Sequence, residues 1–194
     1  MNTSRLEAFS DGVLAIILTI MVLELKVPLG ENLKSLIPYL PKLISYVLSF
    51  IYVGIYWNNH HHLFQAIEKV NGAVLWSNLH LLFWLSLLPV TSSWMNEHLT
   101  ATYPVAIYGF VLLMSSLAFD ILEYTALKLE GKESVIGYSL QTKRKEIISG
   151  IGYLCGIIFA FIVPEISVVI YFLIAIYWFI PDKRIERNLN KKGN

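Results

Sequence analysis

The residues most able to do chemistry are one carboxylate and a set of aromatic, amide and imidazole side chains on neighbouring apolar segments. Asp11 lies in the first apolar segment, Arg5–Leu25. The second segment ends in YWNNHHHLF, Tyr56–Phe64, and the third contains WSNLH, Trp76–His80. An ionisable group at membrane depth costs about 3 kcal/mol unless it faces protein or water, so Asp11 is a candidate functional residue.

Helical spacing groups the possible hydrogen-bond donors into faces. Residues four apart share a helix face, and three pairs have this spacing: Trp57 with His61, Asn58 with His62, and Trp76 with His80. Side chains of Asn, His and Trp donate hydrogen bonds that a carboxylate accepts. The pattern predicts an interhelical hydrogen-bond network that holds Asp11.

A metal site is the alternative interpretation of the same side chains, in a proton-coupled or metal ion transporter built on Asp11, His60–His62 and His80. Adjacent residues point to different faces of a helix, so His60–His62 cannot all reach one ion. A site of two histidines with Asp11 stays open, as does pH sensing by His61 or His80. An enzyme acting on lipid would need a second group of ligands at metal spacing, and the sequence shows none.

The composition indicates an integral membrane protein. The chain has 194 residues, of which 56% are hydrophobic, and long uncharged runs recur along it. The formal net charge is only +1, which provides no basic surface for nucleic acid. A single cysteine, Cys155, excludes an intrachain disulfide framework and a multi-thiolate metal site.

Six transmembrane helices fit the hydropathy pattern, which predicts an all-α fold with one domain over residues 1–194. The predicted spans are about 6–27, 35–62, 73–94, 103–127, 146–163 and 165–180. Pro89 predicts a kink near the end of the third span. The first span is unusual because its uncharged run, Gly12–Leu23, has twelve residues, whereas a spanning helix needs about 20.

Lys and Arg residues predict the orientation. With both termini in the cytoplasm, twelve basic residues lie on the cytoplasmic side and three, Lys26, Lys34 and Lys42, lie outside. Cytoplasmic loops of membrane proteins are enriched in Lys and Arg. The bias therefore favours cytoplasmic termini and an even number of spans.

The first helix has two faces with different predicted roles. Each residue of an ideal helix turns by about 100°, so Ile16, Ile20 and Leu23 form one stripe with Thr19 at its edge, and Asp11 points about 140° away from Ile16. A ring of aliphatic side chains around an axis gates a pore by dewetting. Periodicity also allows this stripe to face lipid or the protein core, as most apolar stripes do.

The motifs of the first three segments resemble those of the prokaryotic relatives of transmembrane protein 175, the endolysosomal potassium channel of animals. The first segment carries R-x-x-x-F-S-D, at Arg5, Phe9, Ser10 and Asp11, followed by GVLAI and LTIMVLEL. YWNNHHHLF in the second segment and LWSNLHLLFWLSLLP in the third complete the likeness. It holds motif by motif over about the first ninety residues, and in span count and topology beyond them.

The resemblance implies a potassium-permeable, weakly potassium-selective cation channel that conducts passively in the plasma membrane of a prokaryote. The family lacks the TVGYG filter of ordinary potassium channels, and so does this chain. Prokaryotic members are homotetramers in membrane lipid, in which the first helix of each subunit lines the pore. No cofactor is implied other than the permeant potassium ions.

Residue roles follow from the resemblance by position. Ile16 is the implied hydrophobic constriction, Ile20 and Leu23 continue the apolar lining, and Thr19 forms a polar layer beside it. The signature residues Arg5, Phe9, Ser10 and Asp11 are implied to bond the second and third helices. Their implied partners there are Trp57, Asn58, His61 and His80, with Trp76 in the same network.

Overall fold

The described part of the chain is a bundle of helices. The structure is a computed structural model that describes residues 3–26, 30–131, 133–134, 136–137 and 143–179. The α-helices are α1 (Thr3–Leu23), α2 (Leu40–Ala66), α3 (Gly72–Ser86), α4 (Leu88–Glu97), α5 (Thr102–Glu130), α6 (Arg144–Ala160) and α7 (Pro164–Phe179), and a 3₁₀-helix, Leu33–Tyr39, leads into α2. No strand occurs among these residues, which confirms the prediction of an all-α fold for them.

Four helical stretches are long and apolar enough to cross a membrane: Thr3–Leu23, Leu33–Ala66, Gly72–Glu97 and Thr102–Glu130. The helices α6 and α7 have 17 and 16 residues, fewer than the about 20 that a straight span requires. The last residues of the first and sixth predicted spans lie outside the described residues. Six complete spans therefore stay a prediction.

The third predicted span is divided into two helices. A proline lacks the backbone N–H donor and its ring clashes with the preceding turn of a helix. Accordingly, α3 ends at Ser86, and α4 begins at Leu88 with Pro89 in its first turn. The predicted kink is thus an interruption at Leu87 within the helical stretch Gly72–Glu97. Pro41 occupies the corresponding position in α2, where proline is tolerated.

Contacts between helix ends show which ends meet. Glu130 at the end of α5 accepts hydrogen bonds from the backbone N–H groups of Glu68 and Lys69, just after α2, at 2.9 and 3.2 Å. His61 near the end of α2 contacts Glu7 in the first turns of α1. The start of α1 therefore lies beside the ends of α2 and α5. We call this the N-terminal end of the bundle, and it is the predicted cytoplasmic side.

The core of the subunit lies around α5, which packs against α3, α4, α6 and α7. Tyr171 of α7 is fully buried between Gly109 of α5 and Gly156 of α6, and a Cβ atom on either glycine would overlap the tyrosine ring. By contrast, α1 lies at the edge of the bundle, where it contacts α2, α3 and α4.

Candidate functional site

One face of α1 attaches the helix to its own subunit. The buried residues recur every three or four positions, as in an amphipathic helix: Leu6, Ser10, Leu14, Ile17 and Met21. This face packs on the neighbouring helices α2, α3 and α4. The opposite face of α1 stays uncovered within one chain.

The predicted pore stripe lies on that uncovered face. Ile16, Ile20 and Leu23 are 60%, 43% and 77% exposed. Thr19 is also exposed, and its hydroxyl donates to the carbonyl oxygen of Ala15 at 2.8 Å. Because the hydroxyl proton is directed to the backbone, the oxygen lone pairs of Thr19 remain available to a cation. The assignment of this stripe to a pore stays a prediction.

A buried chain of hydrogen bonds connects α1 to both α2 and α3. Asn78 of α3 donates from Nδ2 to the hydroxyl of Ser10 at 3.0 Å and accepts at Oδ1 from His60 Nε2 at 2.8 Å. Ser10 in turn donates to the carbonyl oxygen of Leu6 at 2.9 Å. Ser10, His60 and Asn78 are each at most 1% exposed. This triad fixes the rotation of α1, because turning the helix would leave buried polar groups unpaired.

Two further contacts join α2 to carboxylates of α1, one to Asp11 and one to Glu7. The indole N–H of Trp57 donates to Asp11 Oδ1 at 3.0 Å, so the structure brings this predicted donor to the carboxylate. His61 lies beside Trp57, with ring centroids 6.1 Å apart, and its Nδ1 donates to Glu7 Oε1 at 2.7 Å. Gln65 donates to the other ring nitrogen of His61 at 2.8 Å.

These contacts change the predicted network in two ways. Asp11 is exposed within one chain, so the enclosed member of the signature is Ser10. His61 bonds Glu7, which the sequence analysis did not single out, and does not bond Asp11. Within one chain, the imidazole of His61 therefore binds the carboxylate of Glu7, one turn before Asp11 on α1.

Five other predicted members have different surroundings within one chain. Arg5 is exposed and forms no ion pair or hydrogen bond with a described residue, and Phe9 is 52% exposed. Trp76 is 75% exposed, and Asn58 is half-buried with no described hydrogen-bond partner. His80 accepts from Trp84 Nε1 at 2.9 Å within α3. Among the residues that the structure describes, these five side chains form no hydrogen bond between helices.

Sequence reasoning missed His60 and Asn78 as the connecting pair. Both stand in the buried stripe of their own helix, His60 between Tyr56 and Phe64 and Asn78 between Val74 and Leu82. A polar residue in phase with a buried apolar stripe needs a buried partner. The position of His60 and Asn78 in the buried stripes of their helices is therefore the sequence signal that could have identified them.

The histidines are distributed among different partners. His60 bonds Asn78, His61 bonds Glu7 and Gln65, and His80 bonds Trp84. Over the described residues, no group of three or more His, Cys, Asp or Glu side chains is arranged to hold a metal ion. The geometry of this region is that of a hydrogen-bond network between helices.

The other end of α1 is attached to α4 by exposed polar contacts. Ser93 donates to Glu24 Oε2 at 3.0 Å, and Lys26 pairs with Glu97 at 3.1 Å. Lys42 approaches the same Glu97 oxygen at 3.5 Å. The hydrogen bond and charge of Glu97 raise the pKa of Lys26. An open cleft of about 280 Å³ between Glu24 and Glu97 lies beside the end of α1.

Comparison with known proteins identifies the class to which this fold and site belong. The family description "Endosomal/lysosomal potassium channel TMEM175" matches residues 5–89. A Chryseobacterium protein named a potassium channel is 56% identical over 98% of this chain and 100% of its own length. The chain belongs to the TMEM175 family.

A solved structure and a vertebrate relative extend the comparison. The crystal structure of a lysosomal potassium-selective channel TMEM175 homologue from Chamaesiphon minutus superposes with a TM-score of 0.80 at 28% identity, over 93% of this chain and 97% of that one. A zebrafish (Danio rerio) protein named an endosomal/lysosomal proton channel TMEM175 is 29% identical, over 93% of this chain and 36% of its own length. Family membership and the apolar helices make the chain a multi-pass membrane protein.

Proposed function

We propose that this protein is a potassium-permeable, weakly potassium-selective cation channel in the plasma membrane of a prokaryote. Four copies of the chain surround a central axis, and the exposed face of α1 from each copy lines the pore. Conduction is passive and needs no cofactor. Relatives named as potassium channels and the assignment to an ion-channel family, not an enzyme family, support the proposal.

The observation that carries the proposal is the division of α1 into an attached face and an exposed apolar face. Ile16, Ile20 and Leu23 remain exposed although the subunit is otherwise well packed around α5. Buried hydrogen bonds fix the rotation of α1, and a pore needs the same residues at the axis in every subunit.

The chemistry of the exposed face suits weak selection among monovalent cations. An aliphatic ring formed by Ile16 narrows the pore and makes an ion shed part of its hydration shell. Thr19, one turn further along, offers hydroxyl oxygens that partly replace that water. Such a neck discriminates mainly by the cost of removing water from the ion, which favours potassium over the more strongly hydrated sodium to a modest degree.

The two ends of α1 have different proposed roles. At the far end, Glu24 and Glu97 border an open cleft, and their carboxylates concentrate cations there. At the N-terminal end, the contacts of Trp57 with Asp11 and of His61 with Glu7 hold the mouth of the pore against α2. A change in those contacts moves the constriction, because α1 is one rigid helix between them.

The test is ion flux through purified protein reconstituted in liposomes. We expect a bi-ionic reversal potential that shows modest potassium preference, and we expect Ile16→Asn to raise conductance by roughly tenfold, a barrier change of about 1.4 kcal/mol, and to reduce selectivity. The control is Ile151→Asn, the same change on an exposed face of α6, which leaves conductance unaltered. If the Ile16→Asn and Ile151→Asn variants carried equal currents, Ile16 would not line the constriction of the pore.

A proton-coupled or metal transporter predicts a different result in the same liposomes. The vertebrate relative named a proton channel and the carboxylate–imidazole pair of Glu7 and His61 make proton movement the second candidate. A transporter gives saturable, pH-driven flux, whereas a channel gives current that rises linearly with voltage. Potassium current without a pH gradient separates the two.

A further inference from the structure

A groove with mostly apolar walls runs along the outside of the subunit between α2 and α7. Its volume is about 320 Å³, and its walls include Phe50, Ile51 and Ile55 of α2 and Trp178 and Phe179 of α7. A second cavity of about 250 Å³, lined by apolar side chains, adjoins it and shares Ile51 and Phe179. Phe50 and Phe179 are exposed, so the groove opens away from the core of the subunit.

Gly54 gives the groove its depth in the middle of α2. Phe50 and Asn58 lie four residues before and after this glycine, so the three residues share one face of the helix. A Cβ atom on Gly54 would meet nothing within 4 Å. Because a helix rises by about 1.5 Å per residue, the groove is about 13 Å long from Phe50 to Asn59. This long apolar shape fits an extended hydrocarbon chain.

The end of the groove towards the predicted cytoplasmic side is polar. Asn58 and Asn59 line it there, and α2 continues from them to the N-terminal end of the bundle. Side-chain amides donate hydrogen bonds to carbonyl oxygens such as those of lipid esters. The ring of Trp178 has a fixed position in the wall, because its indole N–H donates to the hydroxyl of Ser149 at 2.6 Å.

A positive charge lies over the wall of the groove at Trp178. The ammonium nitrogen of Lys145, in the first turn of α6, is 5.5 Å from the centre of the Trp178 ring and 5.3 Å from that of Tyr177. The face of an aromatic ring attracts a cation at such distances. The two rings therefore hold Lys145 at the rim of the groove.

Lys145 belongs to a run of basic residues at the start of α6. Lys143, Arg144 and Lys145 are consecutive, and the first two are exposed. The neighbouring negative charges are Glu146, the next residue, and Asp120 of α5, which interacts electrostatically with Lys143. Three cations thus stand against two carboxylates. Basic pockets between transmembrane helices on the cytoplasmic side bind anionic lipid headgroups.

We propose that this groove binds one anionic phospholipid. One acyl chain lies along Gly54 between α2 and α7, and the phosphate lies beside Lys145. The apolar groove contributes affinity through each buried CH₂ group, and the basic residues add electrostatic attraction. A zwitterionic lipid offers the same chains without the net charge, and a free phosphate leaves the apolar groove uncovered. The bound lipid joins α2 to α6 and α7 and stabilises the folded subunit.

The experiment is a titration of the full-length protein, purified in an uncharged detergent, with phosphatidylglycerol, phosphatidylcholine or sodium phosphate. Native mass spectrometry counts the lipids bound to each subunit, and the melting temperature reports stabilisation. We expect saturable binding of one phosphatidylglycerol per subunit, with a rise in melting temperature, and binding of phosphatidylcholine that is weaker by roughly fivefold or more. These measurements do not depend on ion conduction.

Two variants test the two parts of the site. Gly54→Leu fills the groove and should abolish lipid binding, whereas Lys145→Gln should weaken the affinity for phosphatidylglycerol by about fivefold and leave that for phosphatidylcholine unchanged. The control for the first is Gly150→Leu on α6, where a new Cβ atom also meets nothing within 4 Å. The control for the second is Lys128→Gln, at an exposed lysine in the last turn of α5. Both controls should bind phosphatidylglycerol as the wild type does.

Three results would overturn the proposal. Equal affinity for phosphatidylcholine and phosphatidylglycerol, or phosphatidylglycerol binding that is unchanged in both Gly54→Leu and Lys145→Gln, would show that no anionic lipid occupies the groove. Equal stabilisation by sodium phosphate would assign recognition to the basic residues alone. If no lipid bound and Gly54→Leu dissociated the oligomer, the groove would instead be covered by a second copy of the chain.

Discussion

The helices α1 and α5 are both apolar enough to cross a membrane, yet they are packed in opposite ways. In the most apolar 18-residue windows, 28% of the residues of α1 and 61% of those of α5 are buried. Interdigitated side chains and glycine contacts fix α5, whereas α1 is held by one narrow face and a few hydrogen bonds. The remaining surface of α1 is the one that we propose to line the pore.

The largest effect on this contrast comes from filling the glycine contact of α5. Gly109→Ala places a methyl group into the ring of Tyr171, which is fully buried and donates to the carbonyl oxygen of Val105 at 3.4 Å. We expect a destabilisation of about 3 kcal/mol, seen as a lower melting temperature. Gly54→Ala is the control, because no atom lies within 4 Å of its new Cβ, and it should be neutral or stabilising. If the Gly109→Ala protein were as stable as the wild type, the contact between Gly109 and Tyr171 would not hold α5 tightly in place.

The next effect is expected in the buried triad that fixes α1. Asn78→Ala leaves the hydroxyl of Ser10 and the Nε2–H of His60 without their partner, at a cost of about 2 kcal/mol. The melting temperature should fall, and the current through liposomes should become heterogeneous because α1 loses its fixed rotation. Asn58→Ala serves as the comparison, since Asn58 has no described hydrogen-bond partner. Uniform currents in the Asn78 variant would show that the triad does not orient the helix.

A smaller change in stability is expected at Asp11. Asp11→Ala removes the acceptor of Trp57 at a half-exposed site, so the subunit loses about 1 kcal/mol. We predict that tetramer assembly or gating is impaired more than ion preference, which size-exclusion chromatography and reversal potentials measure separately. The matched variant Trp57→Phe removes the same hydrogen bond from the other side. Intact tetramers with altered selectivity would instead place Asp11 in contact with the ions.

The smallest effect is expected at the other end of α1. Glu97→Gln breaks exposed ion pairs with Lys26 and Lys42, so any loss of stability should vanish at high salt. Glu97 raises the pKa of Lys26, and the hydrogen bond and charge of Lys26 lower the pKa of Glu97. The contribution is therefore present at neutral pH, is lost as the pH rises past the normal titration range of lysine, near pH 10.5, and is also lost in acid when Glu97 is protonated. Melting curves at low and high ionic strength provide the measurement, and a salt-independent loss would contradict it.

The two faces of α1 show how much of the candidate site could be predicted from the sequence. Helical phase separated Ile16 from the signature face without any structure, because a 100° turn per residue is a local property. Donor chemistry and the family resemblance named Trp57 among the partners of the signature residues, and in the structure its indole donates to Asp11. His61, named in the same network, bonds Glu7, and Trp76 is 75% exposed within one chain.

The differences between the predicted and the observed contacts of α1 share one physical cause. Spacing along a helix shows which residues share a face, but the partner of that face depends on the rotation and height of the neighbouring helix. His61 meets Glu7 because α2 lies beside the first turns of α1 at that height. The break at Leu87 was indicated by Pro89, a local signal, although its conversion from a kink into two helices required the packing of α4 on α2 and α5.

The sequence by itself determined the all-helical class, the apolar segments, the family and the two faces of α1, since hydropathy and helical periodicity are carried by neighbouring residues. The tertiary structure decided which polar groups meet. Ser10, His60 and Asn78 come from three helices. Such contacts depend on helix packing, in which a rotation of a few tens of degrees exchanges one partner for another, and no local pattern encodes that angle.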